Sequence, residues 1–157
     1  MQTKGFKIGL ESFYKVKDEV DELFKLHWEE IAVYKDKMKI NPDWAFYQAL
    51  YVCDSLGIYG VRDSEDSLVG YFIVIVRPHP HYMDHTIASN DLIYIHPDHR
   101  KGLLGYKLIK FAEKDLISKG VSVLVINTKT HQPFDPLLER LGFNLQERVY
   151  TKYLQGE

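Results

Sequence analysis

Apolar residues along the chain change their period several times, and each change marks an element. Gly5 to Leu10 alternate weakly, in the manner of an edge strand. Val16, Val20, Leu23, Phe24, His27 and Ile31 then recur at helical spacing, with Asp18, Glu19, Asp21, Glu22, Lys25 and Glu29 opposite them. Asn41-Pro42-Asp43 reads as a second helix start, with Asn41 as cap and Pro42 in the first turn. Trp44, Tyr47 and Tyr51 continue that helix as an aromatic stripe, and Gly57 is expected to end it. Ile58–Arg62 and Leu68–Arg77 follow as two strands around the polar turn 63–67, an antiparallel hairpin.

Pro78 to His85 interrupts this pattern. Two prolines cannot serve a central strand, so the segment is expected to be a loop. Thr86–Ile95 regains strand character. From Lys101 a helix turns Leu104, Leu108, Phe111, Ala112 and Leu116 inward and Lys107, Lys110 and Lys114 outward, closing at Gly120. The apolar run Val121–Ile126 predicts a strand buried on both faces. A short helix over 133–140 ends at Gly142, and 143–154 should add one or two closing strands. This order of elements predicts a mixed α+β fold, with a mostly antiparallel central sheet flanked by helices on both faces.

Residues 1–157 suit a single domain, being enough for one core and too few for two. Twenty basic and twenty-two acidic side chains leave a net charge of -2, which argues against a broad nucleic-acid or membrane surface. One cysteine, Cys53, excludes an internal disulfide and a cysteine zinc site. Neither a signal peptide nor a bilayer-length apolar run is apparent, so a cytoplasmic protein is expected. A homodimer is compatible with all of this.

The stretch from Asp91 to Lys110 has the most chemistry in it, since strand, glycine turn and helix start together build an anion site. Glycine lets main-chain N–H groups converge, and a helix N-terminus adds its positive dipole end. Arg100 and Lys101 bring positive charge to the same turn. A diphosphate suits such a site. A nucleotide loop of the Gly-Lys-Ser/Thr type is not present.

The residues Ile95-x-Pro97-x-x-Arg100-x-Gly102-x-x-Gly105, with Leu141-Gly142-Phe143 downstream, resemble the acyl-CoA signature of the GNAT N-acetyltransferases. The resemblance implies acetyl-CoA as acyl donor, no metal, and direct transfer to an amine on a small molecule or a protein. It places Arg100, Lys101, Gly102, Leu103, Leu104, Gly105 and Tyr106 around the coenzyme diphosphate, and Ile93, Tyr94 and Ile95 along its pantetheine arm. The commonest family loop has its first glycine one place later than Gly102, where Leu103 stands here.

A strand period of two puts Asp91 on one face with Ser89, Ile93 and Ile95, and Asn90, Leu92 and Tyr94 on the other. By the resemblance, Asp91 is a candidate general base, and a structural role is its alternative. The tyrosine that usually protonates the leaving thiolate is replaced by Leu138. His131, at the place of a common asparagine, is the candidate for that proton or for a pantetheine contact, with Tyr94 and Tyr150 as other acids.

His27-Trp28-Glu29-Glu30 and the His-Tyr loop also resemble a subgroup frequent in bacteriophage genomes, which implies His27, Glu30, His81 and Tyr82 around the acceptor. Trp28, Trp44 and Tyr47 read instead as core residues. His79, His81, His85 and Asp84 invite a metal reading, but a loop punctuated by prolines rarely fixes zinc ligands. Leu138 and the shifted glycine motivate one alternative function, a catalytically inactive relative that binds or inhibits a host protein.

Overall fold

In chain order the elements are β1 (Gln2–Thr3), β2 (Phe6–Leu10), α1 (Phe13–Glu19), α2 (Asp21–Ile31), α3 (Trp44–Val52), β3 (Leu56–Arg62), β4 (Leu68–His79), β5 (Tyr82–Ile95), α4 (Leu104–Ser118), β6 (Val123–Val125) and α5 (Asp135–Arg140). They come from a computed structural model that describes residues 1–3, 5–100 and 102–155, so Lys101 lies outside the described residues. The strands form one sheet in the order β1-β2-β3-β4-β5-β6. Every neighbouring pair is antiparallel except β5 and β6. Among the described residues no helix is long and apolar enough to cross a membrane.

Strand side chains alternate between faces, so β3, β4 and β5 feed two cores at once. Tyr59, Val61, Phe72, Val74 and Ala88 pack under Leu104, Leu108, Ile109, Ala112 and Leu116 of α4. Ile58, Tyr71, Ile73 and Tyr94 meet Phe13, Val16, Val20, Leu23 and Phe24 of α1 and α2 on the other face. Helices therefore cover both faces of the sheet. Arg62, 2 % exposed, ties the second layer down: its Nε and Nη2 donate to both oxygens of Glu11 at 2.8 Å, and its Nη1 donates to Glu19 Oε2 at 2.8 Å. Removing either carboxylate would leave a buried charge short of a partner, a change that costs about 3–5 kcal/mol when the pair is fully broken.

Five expectations from the sequence change here. The cap of α3 is Asp43, whose side chain accepts from Phe46 N at 2.9 Å, which leaves Asn41 and Pro42 ahead of the helix. Gly57 lies inside β3 and does not end a helix; a Cβ there would stand 2.9 Å from Val74 Cγ2, so close packing requires the glycine.

Pro78 is not in a loop, because β4 and β5 run as one long hairpin in which Pro78 pairs with Thr86. Val76 N–H donates to Ser55 O on the β3 side, so Pro78, with the same parity, turns its missing N–H to that side, beyond the last β3 pair at Leu56 and Ile75. Lastly, β6 is an edge strand with Val123 44 % exposed, and residues 143–155 form no strand to cover its outer side. The apolar run 121–126 is therefore not buried on both faces.

Candidate functional site

β5 and β6 pair only at Ile87–Val123, Ala88–Leu124 and Ser89–Val125. Immediately beyond, main-chain pairing gives way to a side-chain bridge, with Asn90 Oδ1 accepting from Asn127 N at 2.7 Å. The rest of β5 is paired on its β4 side alone. His96 N–H donates to Val69 O at 2.8 Å on that side. By alternation the N–H groups of Ile95 and Ile93 point the other way, into the gap beside β6. The amide of Tyr94 faces β4.

Asp91 sits at a β-bulge, since Leu92 pairs with Ile73 and Asn90 with Val74, leaving Asp91 as the extra residue. The bulge inverts the expected parity. Ile93 and Ile95 pack toward α4, whereas Asp91 faces the α1–α3 layer with Leu92 and Tyr94, its Oδ2 accepting the Tyr47 hydroxyl at 2.5 Å. Burial, and then the hydrogen bond to Asp91, raise the Tyr47 pKa, so the phenol keeps its proton and donates.

At the end of β5 a 3₁₀ turn, Pro97–His99, leads to Gly102, whose φ of +78 is open to glycine at little cost. The shifted glycine therefore sits where the turn needs a left-handed residue. α4 then begins with no side-chain cap, so the first-turn amides of Leu104, Gly105 and Tyr106 present a bare positive helix end. A Cβ on Gly105 would lie in van der Waals contact, 3.4 Å from Leu137 Cδ2 and 3.8 Å from Ile95 Cδ1, so a bulkier side chain would crowd the space beside the turn.

Arg100 is engaged elsewhere. Its Nη1 and Nη2 donate to the two Glu30 oxygens at 2.7 and 2.6 Å, its Nε donates to Ile95 O at 2.7 Å, and the guanidinium lies 5.0 Å from the Tyr94 ring centroid. The Arg100 hydrogen bond pulls the Glu30 pKa down. Gln132 Nε2 donates to the same carboxylate at 2.8 Å, and His131 Nε2 lies 3.3 Å from Glu30 O. Glu30 thus joins α2 to the turn after β5 and to the loop after β6, so its charge is already satisfied.

On the α1–α3 face lies a cavity of about 260 Å³ lined by Phe24, His27, Trp28, Ile31, Tyr47 and Leu92, among others, with Lys129 at its rim. His27 is 5 % exposed, with Nδ1 2.8 Å from the Tyr71 hydroxyl and its ring stacked on Tyr94 at 4.7 Å. Burial holds its pKa down to about 4, with Glu30 pulling the other way and Arg100 and Lys129 adding to the fall. The imidazole is neutral at pH 7.

The residues anticipated around the acceptor are not brought together as a set. His27 and Tyr47 line the cavity, with Asp91 hydrogen-bonded behind Tyr47, while His81 and Tyr82 stand at the tip of the β4–β5 hairpin and do not line it. Tyr82 and Asp91 are roughly 30 Å apart along an extended strand. His131 is exposed in the loop after β6, Leu138 is buried under α4, and Tyr150 is exposed. Among the described residues no group of three or more His, Cys, Asp or Glu side chains converges to hold a metal. Tyr47, read from the sequence as core, belongs to the site. Lys129 and Asn127 were not anticipated either, and no local pattern marks them.

A model of the "Acetyltransferase (GNAT) family" matches residues 19–143. No curated protein sequence matches the chain. Among solved structures, the fold is similar to a ribosomal-protein-alanine N-acetyltransferase from Brucella melitensis biovar Abortus 2308, at 22 % identity, TM-score 0.69, and coverage of 94 % of this chain and 99 % of that one. It is also similar to a glucosamine-6-phosphate N-acetyltransferase from Arabidopsis thaliana (13 %, TM-score 0.72, coverage 97 % and 100 %). An aminoglycoside acetyltransferase from an uncultured soil metagenomic sample is comparable (14 %, TM-score 0.75, coverage 97 % and 100 %). At these identities the likeness is one of fold.

Proposed function

Because the chain belongs to the GNAT acetyltransferase family, we propose that it is an acetyl-CoA-dependent N-acetyltransferase that passes the acetyl group directly to an amine held in the cavity between α2, α3 and β5. The observation that carries this reading is the position of the unpaired Ile93 and Ile95 amides. They lie between the bare end of α4 on one side of the sheet and the Asp91–Tyr47 pair on the other. When bound, the coenzyme supplies an acetyl thioester, already activated toward an amine.

The amides of Gly102, Leu103, Leu104, Gly105 and Tyr106 would hold the diphosphate, using the helix dipole and the glycine turn. Arg100, fixed by Glu30, keeps a cation beside that turn without needing to move. The Ile93 and Ile95 N–H groups line the pantetheine path and stabilise negative charge growing on the thioester oxygen. Asp91 Oδ2 is occupied by Tyr47, so Oδ1 is the oxygen that accepts the amine proton, directly or through a water. Tyr47 holds the carboxylate in one orientation. His131, exposed in the loop after β6, is the group we assign to return a proton to the departing sulfur.

Melting the protein with and without acetyl-CoA tests the reading. A ligand at one hundred times its dissociation constant adds about 2.7 kcal/mol to the folded state. A raised midpoint, together with thiol release that depends on an added amine, is the expected result; an unmoved midpoint rejects the assignment.

A further inference from the structure

The cavity's charge pattern narrows the acceptor, an inference that rests on the cavity being the acceptor site. Its walls are apolar: Phe24, Trp28, Ile31, Ile40, Pro42 and Leu92. Its volume of about 260 Å³ falls just below the roughly 300–1,000 Å³ of drug-sized ligand sites, so the body it encloses is compact. Among the described residues no Asp or Glu lines it, and Asp91 stands behind its Tyr47 wall, with Oδ2 accepting from the Tyr47 hydroxyl. His27 is neutral, so Lys129 is the one charged side chain among the described lining residues, and it is paired with no carboxylate among the described residues.

A second set of cations points the same way. Lys35 and Lys39 both lie over the ring of Trp28, 5.8 and 5.7 Å from its centroid, on the aromatic side chain that forms one wall. Lys35 is offset by Glu29, whose Oε2 lies 3.2 Å from its Nζ, so the net positive charge on this side comes from Lys39 and Lys129. A polycation entering here would place extra ammonium groups against apolar walls and these like charges. An apolar amine that also carries a carboxylate meets the opposite situation, since its amine approaches Asp91 while the anion pairs with Lys129.

We infer that the acceptor is a compact primary amine with an apolar body and a carboxylate, of the apolar amino-acid class, and that Lys129 selects it by pairing with that carboxylate. Lys129 is a specificity residue in this scheme and takes no part in the transfer itself.

Calorimetric titration tests this without relying on turnover. L-Phenylalanine, phenethylamine (the same body without the carboxylate) and spermidine are titrated into the wild type, Lys129→Ala and Lys129→Glu, each with and without CoA. Phenylalanine is expected to bind about two- to fivefold more tightly than phenethylamine, the range of an ion pair to an exposed lysine. Lys129→Ala should close that gap, and Lys129→Glu should reverse it. Equal or tighter binding of phenethylamine or spermidine to the wild type, binding of none of the three, or a phenylalanine preference that survives in Lys129→Ala would each overturn the inference. Failure to bind CoA is a separate result that rejects the transferase reading, while the CoA-free titrations still report on the cavity. Lys129 is exposed, so both variants should fold, which their melting curves check.

Discussion

The two ends of β5 are built from similar residue types and do different things. At its start, Tyr82 to Thr86 pair with β4 alone, and the hairpin carries His79, His81, Tyr82 and His85 in loose ring contacts, with Tyr82 61 % and Met83 93 % exposed. At its other end the strand also loses a neighbour, but there His27, Tyr47 and Tyr71 cover it, and a bulge turns Asp91 toward them. Histidine and tyrosine are abundant in both places. The difference lies in what packs over them: the covered His27 imidazole is held neutral by burial, whereas His81, Tyr82 and His85 stay exposed, even with His85 Nδ1 3.0 Å from Ser122 Oγ.

Replacing Gly105 with valine should have the largest effect, because the branched side chain, already in contact with Leu137 and Ile95 at its Cβ, would fill the space beside the turn. Acetyl-CoA should then no longer raise the melting midpoint of a protein that remains folded, and an undiminished rise would remove the turn from the site.

Next comes a pH effect on stability. The denatured chain takes up a proton on His27 as pH falls through about 6.5, while the folded protein resists until about 4, so stability falls across that window. The loss should approach roughly 3 kcal/mol at the lower limit. Urea unfolding at pH 7 and pH 4.5 measures it, and His27→Asn should flatten the slope.

Asp91→Asn should lower turnover about 10²-fold, most severely at low pH where the amine is hardest to deprotonate. Wild-type rates across the pH range would take Asp91 out of the mechanism. The smallest effect is expected from the double variant His81→Ala, Tyr82→Ala, whose kcat/KM should stay within about twofold of wild type, as for surface changes remote from a site. A large loss there would mean that both ends of β5 serve the acceptor.

Much of the fold was legible because it follows from local periodicity. The helical stripes of α2 and α4, the β3–β4 hairpin, and the glycines that close α4 and α5 at φ +80 and +88 are all written in neighbouring residues. The glycine turn before α4 was legible for the same reason. Pro78 was misread because its tolerance depends on where β3 stops, and Gly57 because its need for no side chain comes from Val74 on the next strand.

The sequence by itself determined the alternation of strand and helix, the glycine turn before α4 and the family signature, since each depends on residues a few positions apart. Tertiary structure alone decided which face Asp91 turns to. One extra residue at Asp91 inverts the strand parity and brings its carboxylate to Tyr47, forty-four positions away, while Arg100 is drawn to Glu30, seventy positions away. Such contacts form because burial and charge pairing act between groups that meet in space, and linear spacing carries no record of that meeting.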